Sequence, residues 1–132
     1  MQEKRVRFGD YIKRLRLRDS RELRQSDIAE DLGISTGLYG DIENRRRRPF
    51  GVDKIERFAE ILGLTADEKV RLYDLASHET NEVPADIEDI FMYDEIGTLA
   101  RTALRETKAG NADGADWREF LRMIEVRKTQ HK

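Results

Sequence analysis

The densest run of like charge in the chain is Arg45-Arg46-Arg47-Arg48, closed by Pro49. Four adjacent guanidiniums can grip phosphate oxygens in forked pairs, or they can simply sit in water. Which of these applies depends on the elements beside them. Groups suited to covalent or acid–base chemistry are scarce. There is no cysteine, which removes disulfides, thiol nucleophiles and the usual ligands of zinc and iron–sulfur sites. His78 and His131 lie far apart in the sequence. No Ser–His arrangement, paired-carboxylate motif or glycine-rich phosphate loop stands out, so an enzyme is not expected. The acidic cluster Asp86, Glu88, Asp89, Asp94 and Glu95 matches no compact metal loop and reads as a solvated helix face. Neither a metal nor a cofactor is expected.

Composition narrows the field further. In 132 residues, 38% are hydrophobic and 39% charged, which suits short helices with narrow apolar stripes better than a deep core. No apolar run has the length to span a bilayer and no secretory pattern opens the chain, so a cytoplasmic protein is expected. The net charge of −2 hides a polarity. Residues 1–50 carry 13 Lys/Arg against 9 Asp/Glu, whereas residues 51–132 carry 12 against 18. Only the first half has the charge to lie on a phosphate backbone.

Helical spacing recurs along the whole chain, and no strand-like alternation is present. Phe8, Tyr11, Ile12 and Leu15 mark a first helix over about Arg7 to Arg18. Ile28, Ala29 and Leu32 mark a second over Gln25 to Leu32, stopped by Gly33. Ser35 is a good N-cap for a third over Thr36 to Asn44. Val52, Ile55, Phe58, Ala59 and Leu62 form a fourth, stopped by Gly63. A capping box at Thr65-Ala66-Asp67-Glu68 opens a fifth. Residues 77–83 are polar and read as a linker, after which Pro84 suits the first position of a short sixth helix. Two further helices are expected from Ile96, Leu99, Ala100, Ala103 and Leu104, and from Trp117, Phe120, Leu121 and Ile124. The tail Arg127 to Lys132 reads as frayed.

A short helix stopped by a glycine, a tight turn, and a second short helix begun by a serine make a helix-turn-helix layout, whose second helix enters a DNA major groove. Ala29 is small where two helices pass close, and Ile28, Leu32, Ile34, Tyr39 and Ile42 supply a small core. The segments Gln25-Ser26-Asp27-Ile28-Ala29, Leu32-Gly33-Ile34-Ser35, Ile42-Glu43-Asn44 and Arg46-Arg47-Arg48-Pro49 resemble the lambda-repressor-like, xenobiotic-response-element type of helix-turn-helix regulators. The resemblance covers roughly residues 8–76.

That resemblance implies roles. Gln25 would bind a phosphate, and Ser35 would cap the recognition helix beside one. Thr36, Gly37, Gly40 and Asp41 would face base edges. Asn44 and Arg45 to Arg48 would grip backbone beyond the helix. Arg16 and Glu43 would form an internal ion pair tying the first helix to the third. The chain departs from the pattern in several places. Arg24 stands where Thr or Ser is usual, and Arg45 stands where Gly is common, so that loop is expected to differ in shape. The third helix lacks Arg, Gln and Asn, the side chains that contact bases bidentately. Readout would then rest on few direct contacts, on DNA shape, or on Arg24 and the Arg loop.

The fold expected is all-α: a five-helix lambda-repressor-like DNA-binding domain over residues 1–77, a linker at 78–83, and a C-terminal region of about three helices over 84–132. The expected function is a sequence-specific DNA-binding transcriptional regulator, a repressor, reading a palindromic operator in double-stranded DNA as a homodimer. The alternative is an antitoxin-like module that holds a protein partner on its acidic C-terminal half and regulates its own promoter.

Overall fold

In the computed structural model, which describes residues 5–131, every regular element is a helix. The order is α1 (Phe8–Arg18), α2 (Gln25–Leu32), α3 (Thr36–Glu43), α4 (Val52–Leu62), α5 (Ala66–Thr80), α6 (Glu88–Tyr93), α7 (Glu95–Lys108) and α8 (Gly114–Gln130). The chain divides into two compact units after Glu88.

Local chemistry sets the helix ends of the first unit. α2 and α4 both stop at a glycine with left-handed backbone, Gly33 at φ 73° and Gly63 at φ 61°. In each, the next N–H reaches back to the helix, Ile34 to the Ala29 carbonyl and Leu64 to the Ala59 carbonyl, both at 3.0 Å. Ser35 Oγ accepts from the Leu38 N–H at 3.0 Å and starts α3. At Thr65 the capping box closes both ways: Thr65 Oγ1 accepts from the Glu68 N–H at 3.1 Å, and Glu68 accepts from the Thr65 N–H at 3.0 Å.

The first unit has one core. Phe8, Ile12 and Leu15 of α1 meet Ile28 of α2, Tyr39 of α3, Ile55 and Phe58 of α4, and Leu72 of α5, all buried. Phe50 links α1 to α4, edge-on to Phe8 with ring centres 5.1 Å apart and tilted against Phe58 at 5.8 Å. Such pairs add roughly 0.5–1.5 kcal/mol each beyond their buried area.

Several boundaries differ from the sequence reading. α5 runs on to Thr80, into the stretch expected to be a linker, because Glu79 has a task there. Its carboxylate accepts from the Phe8 N–H at 2.7 Å and from Arg7 at 2.8 Å, so the last turn of α5 caps the start of α1. Pro84 does not open α6. It precedes a turn in which the Ile87 N–H bonds its carbonyl at 3.1 Å, and the helix begins at Glu88. The tail from Arg127 is helical through Gln130 rather than frayed, with Lys128 and Glu125 paired at 3.2 Å on successive turns. Lys132, part of that expected tail, lies outside the described residues.

In the second unit, Asp94 caps α7 by accepting from the Ile96 N–H at 2.8 Å, and Asp113 caps α8. Gly97 is the one buried residue of α7, and α8 has none. A side chain at Gly97 would collide with the carbonyls of Ile90 and Phe91, so α7 lies directly against the backbone of α6.

Candidate nucleic-acid interface

The arrangement that holds α3 in place starts with charge. Arg16 on α1 meets Glu43 on α3 in a forked pair: Nε–H donates to Oε2 at 2.7 Å and Nη2 donates to Oε1 at 3.0 Å. Both residues are buried. The remaining reach of Arg16 goes to the Leu23 carbonyl at 2.9 Å, and Gln25 Nε2 donates to Glu43 Oε1 at 2.9 Å. One carboxylate thus joins α1, α2 and α3. Burial pushes the Glu43 carboxyl up, but the hydrogen bonds from Arg16 and Gln25 outweigh it and hold the group below the usual carboxylate range. The bond to Glu43 raises the Arg16 guanidinium in turn. Tyr39 Oη is fully buried with no hydrogen-bond partner among the described residues, and burial followed by the nearby Glu43 charge pushes its hydroxyl well up.

Backbone contact completes the support. Gly9 of α1 sits on the end of α3, where a Cβ would collide with the Ile42 carbonyl and come within 2.7 Å of the Glu43 carbonyl. Sequence reasoning passed over this glycine. Its signal is a glycine in the first turn of a helix, next to the apolar Phe8, where nothing local requires one.

The residues expected to meet DNA fall into three groups. Ser35, Thr36 and Gly37 at the start of α3 are exposed, as is Asn44 at its end. Asp41, between them on the same side, is half-buried and lies 3.7 Å from Arg46. Gly40 does not belong with them. It is buried beneath Gln25, whose Oε1 would lie 3.0 Å from a Cβ at that position. The reason is the Gln25–Glu43 bond, which lays the amide across α3 against that position. Gln25 itself is half-buried, with one of its N–H donors already spent on Glu43.

Arg45 to Arg48 are all exposed. Arg45 takes up a left-handed backbone at φ 66°, the conformation that a glycine adopts most readily. Its N–H bonds the Ile42 carbonyl at 3.2 Å and the Arg46 N–H bonds the Asp41 carbonyl at 2.8 Å, the same closure used at Gly33. Arg45 lies 3.7 Å from Asp10. Arg47 and Arg48 have no acidic partner within 4 Å among the described residues. The loop lines a concavity of about 300 Å³ together with Arg7 and Glu79. Arg47 and Arg48 also border a second hollow of about 370 Å³ beside Leu38 and Ile42 of α3. Arg47 and Arg48 therefore flank α3 directly. Arg24 is exposed at the head of α2, where its backbone N–H donates to Asp27 at 2.8 Å.

The connection between α1 and α2, residues 19–24, is pinned. Arg21 donates to both oxygens of Asp19, at 2.9 and 2.8 Å, and to the Ile61 carbonyl at the end of α4 at 2.7 Å. These bonds hold the Asp19 carboxyl down to about 2.

Among the described residues no cluster of His, Asp or Glu is placed to hold a metal, and no helix is long and apolar enough to cross a membrane. No curated protein and no solved structure matches the chain. A family model described as a helix-turn-helix domain matches residues 7–72, from the residue that precedes α1 to the middle of α5. The exposed start of α3, on a helix held by the Arg16–Glu43 pair and followed by four exposed arginines, lies within the matched segment: the chain belongs to the helix-turn-helix domain family of DNA-binding regulators, consistent with the lambda-repressor-like type its motifs resemble.

Proposed function

We propose that this protein is a sequence-specific transcriptional repressor that binds a palindromic site in double-stranded DNA as a dimer, with α3 in the major groove. The observation that carries the reading is the exposed strip Ser35, Thr36, Gly37 and Asn44 with Arg45 to Arg48 at its end. The first-turn N–H groups of α2 and the free amide donor of Gln25 take one phosphate. The arginine loop takes the backbone on the far side of the helix. Base contact is sparse. Thr36 offers a methyl and a hydroxyl, and Asp41 an acceptor suited to cytosine N4 once Arg46 has turned to a phosphate. Gly37 brings the helix backbone close to the groove floor. Specificity therefore draws heavily on DNA shape. Two copies, with half-sites one helical turn apart, supply the contacts that one small module lacks.

This is a binding role in the compartment that holds DNA, with no reaction assigned. The partner-holding alternative finds less support. The whole acidic excess of the second half lies in residues 51–88, with 4 Lys/Arg against 10 Asp/Glu, while residues 89–132 are balanced at 8 against 8. The helices after residue 88 thus carry no net negative charge to draw a basic partner.

Selection from random DNA across a salt series tests the proposal, with an Arg46→Ala/Arg47→Ala variant alongside. The expected result is an enriched palindrome. The variant should lose affinity uniformly and flatten the log–log salt slope by about 1.8, at about 0.9 per phosphate contact. Absence of DNA binding at low salt overturns the reading.

A further inference from the structure

The second unit lacks what the first has. Across α7 and α8 the only buried residue is Gly97, and every large apolar side chain keeps solvent contact. Trp117 Nε1–H donates to Thr107 Oγ1 at 2.8 Å and holds the two helices together. Beside that bond lies an apolar groove of about 600 Å³, lined by Ile96, Leu99 and Ala103 of α7 and by Trp117 and Phe120 of α8. A unit of 44 residues stands near the roughly 40-residue limit below which a chain needs outside help to keep a fold.

We infer that a second copy of this chain fills the groove, the two α7–α8 pairs closing on one another as a four-helix bundle. Three observations favour a like copy. The first is area. Ile96, Leu99 and Phe120 in the groove, with Leu104 and Leu121 next to it in sequence but outside its lining, are between 47% and 63% exposed. Half-exposed side chains of this size each offer on the order of 100 Å² of apolar surface, so the five offer about 500 Å². A stable dimer buries roughly 800 Å² on each partner, about 65% of it apolar, which is the same amount. The second is charge. With 8 Lys/Arg against 8 Asp/Glu, residues 89–132 meet a copy of themselves without net repulsion, and a strongly charged partner finds no complement. The third is packing. The groove is lined by small residues, Ala100, Ala103 and Ala112, as well as by the large Leu99 and Phe120, so large residues of one copy can meet small ones on the other. The inference deepens the dimeric reading above by assigning the dimer surface, and it does not depend on DNA being bound.

Sedimentation equilibrium of the full chain without DNA tests it, with Trp117, the only tryptophan, as an internal reporter. The expected result is a dimer with a micromolar or tighter Kd, and Trp117 emission that shifts to the red on dilution through it. Leu99→Lys with Phe120→Lys should weaken association by on the order of 100-fold. Leu17→Lys, at an exposed apolar position on α1, should leave association unchanged. Should the double variant lose helix content, Leu121→Ser alone is expected to weaken association about tenfold with circular dichroism unaltered. A monomer at roughly 100 μM with concentration-independent Trp117 emission overturns the inference, as does a dimer that survives these variants. If instead the DNA reading alone is wrong, the dimer persists in sedimentation while low-salt DNA binding is absent.

Discussion

In the first unit α1 lays Gly9 on the closing carbonyls of α3, and in the second α7 lays Gly97 on those of α6. The backbone device is the same, yet the outcomes differ. Around Gly9 the approach is followed by burial of Phe8, Ile12 and Leu15 and of the Arg16–Glu43 pair. Around Gly97 nothing larger is buried, and Ile96 and Leu99 on either side remain mostly exposed. Close approach of two helices is a local matter. A core needs helices on several sides, and α1 has α3 and α5 against it while α3 also has α2. The teaching is that the first unit buries its apolar faces around α3, whereas the second leaves much of the apolar area of α7 and α8 exposed.

Four measurements can break or sharpen this contrast. The largest effect belongs to the buried pair. Glu43→Ala strands the Arg16 guanidinium in the core and should cost about 3–5 kcal/mol in urea unfolding. An equally drastic truncation on α7, Leu99→Ala, should change the unfolding of the first unit by less than about 0.5 kcal/mol, because it lies in the other unit. A small cost at Glu43 would remove the pair from its place as the support of α3.

Next in size is Gly9→Ala. The added methyl meets backbone carbonyls that cannot rotate away, and a loss of roughly 1–3 kcal/mol is expected from the denaturation midpoint. No loss would mean that α1 can slide on α3.

The third is acid sensitivity. Glu43 and Asp19 both have folded carboxyls below their ordinary range, so the unfolded chain takes up their protons first as the pH falls. The stability they contribute is fully present above about pH 5 and is lost as the pH drops, for Asp19 down to about 2. The urea midpoint of the first unit should therefore fall steadily on acidification and recover on return to neutral pH. A flat profile from pH 6 to 3 would contradict the geometry of both carboxylates.

Smallest is Arg45→Gly. The left-handed backbone costs a non-glycine residue roughly 1 kcal/mol, so glycine should stabilise the unit by up to that amount. The phosphate contact proposed for Arg45 would be lost with the side chain, so the salt slope for DNA should flatten by about 0.9. A gain in stability with no change in slope would place Arg45 outside the interface.

The sequence on its own determined those features whose causes lie within one turn of the residue concerned. Gly33 and Gly63 end helices because the chain there needs a left-handed step, and Ser35 and Thr65 begin them because an oxygen is at hand for an orphan N–H. The layout of α2, turn and α3 follows from these local bonds, and the Arg16–Glu43 pair was reachable through resemblance to a family. Tertiary structure alone decided the rest, because the partners are remote in sequence. Glu79 caps α1 from 71 residues away, which turns a polar stretch that looks like linker into helix. Gln25 folds over Gly40 to reach Glu43 and takes that position out of the groove-facing set. Arg45 accepts a glycine's backbone because two hydrogen bonds at the end of α3 hold it there. An amphipathic stripe reads identically whether it faces its own core or open solvent. Only the coordinates reveal that the stripes of α1 to α5 close into a buried core, while those of α7 and α8 meet yet leave most of their large side chains exposed.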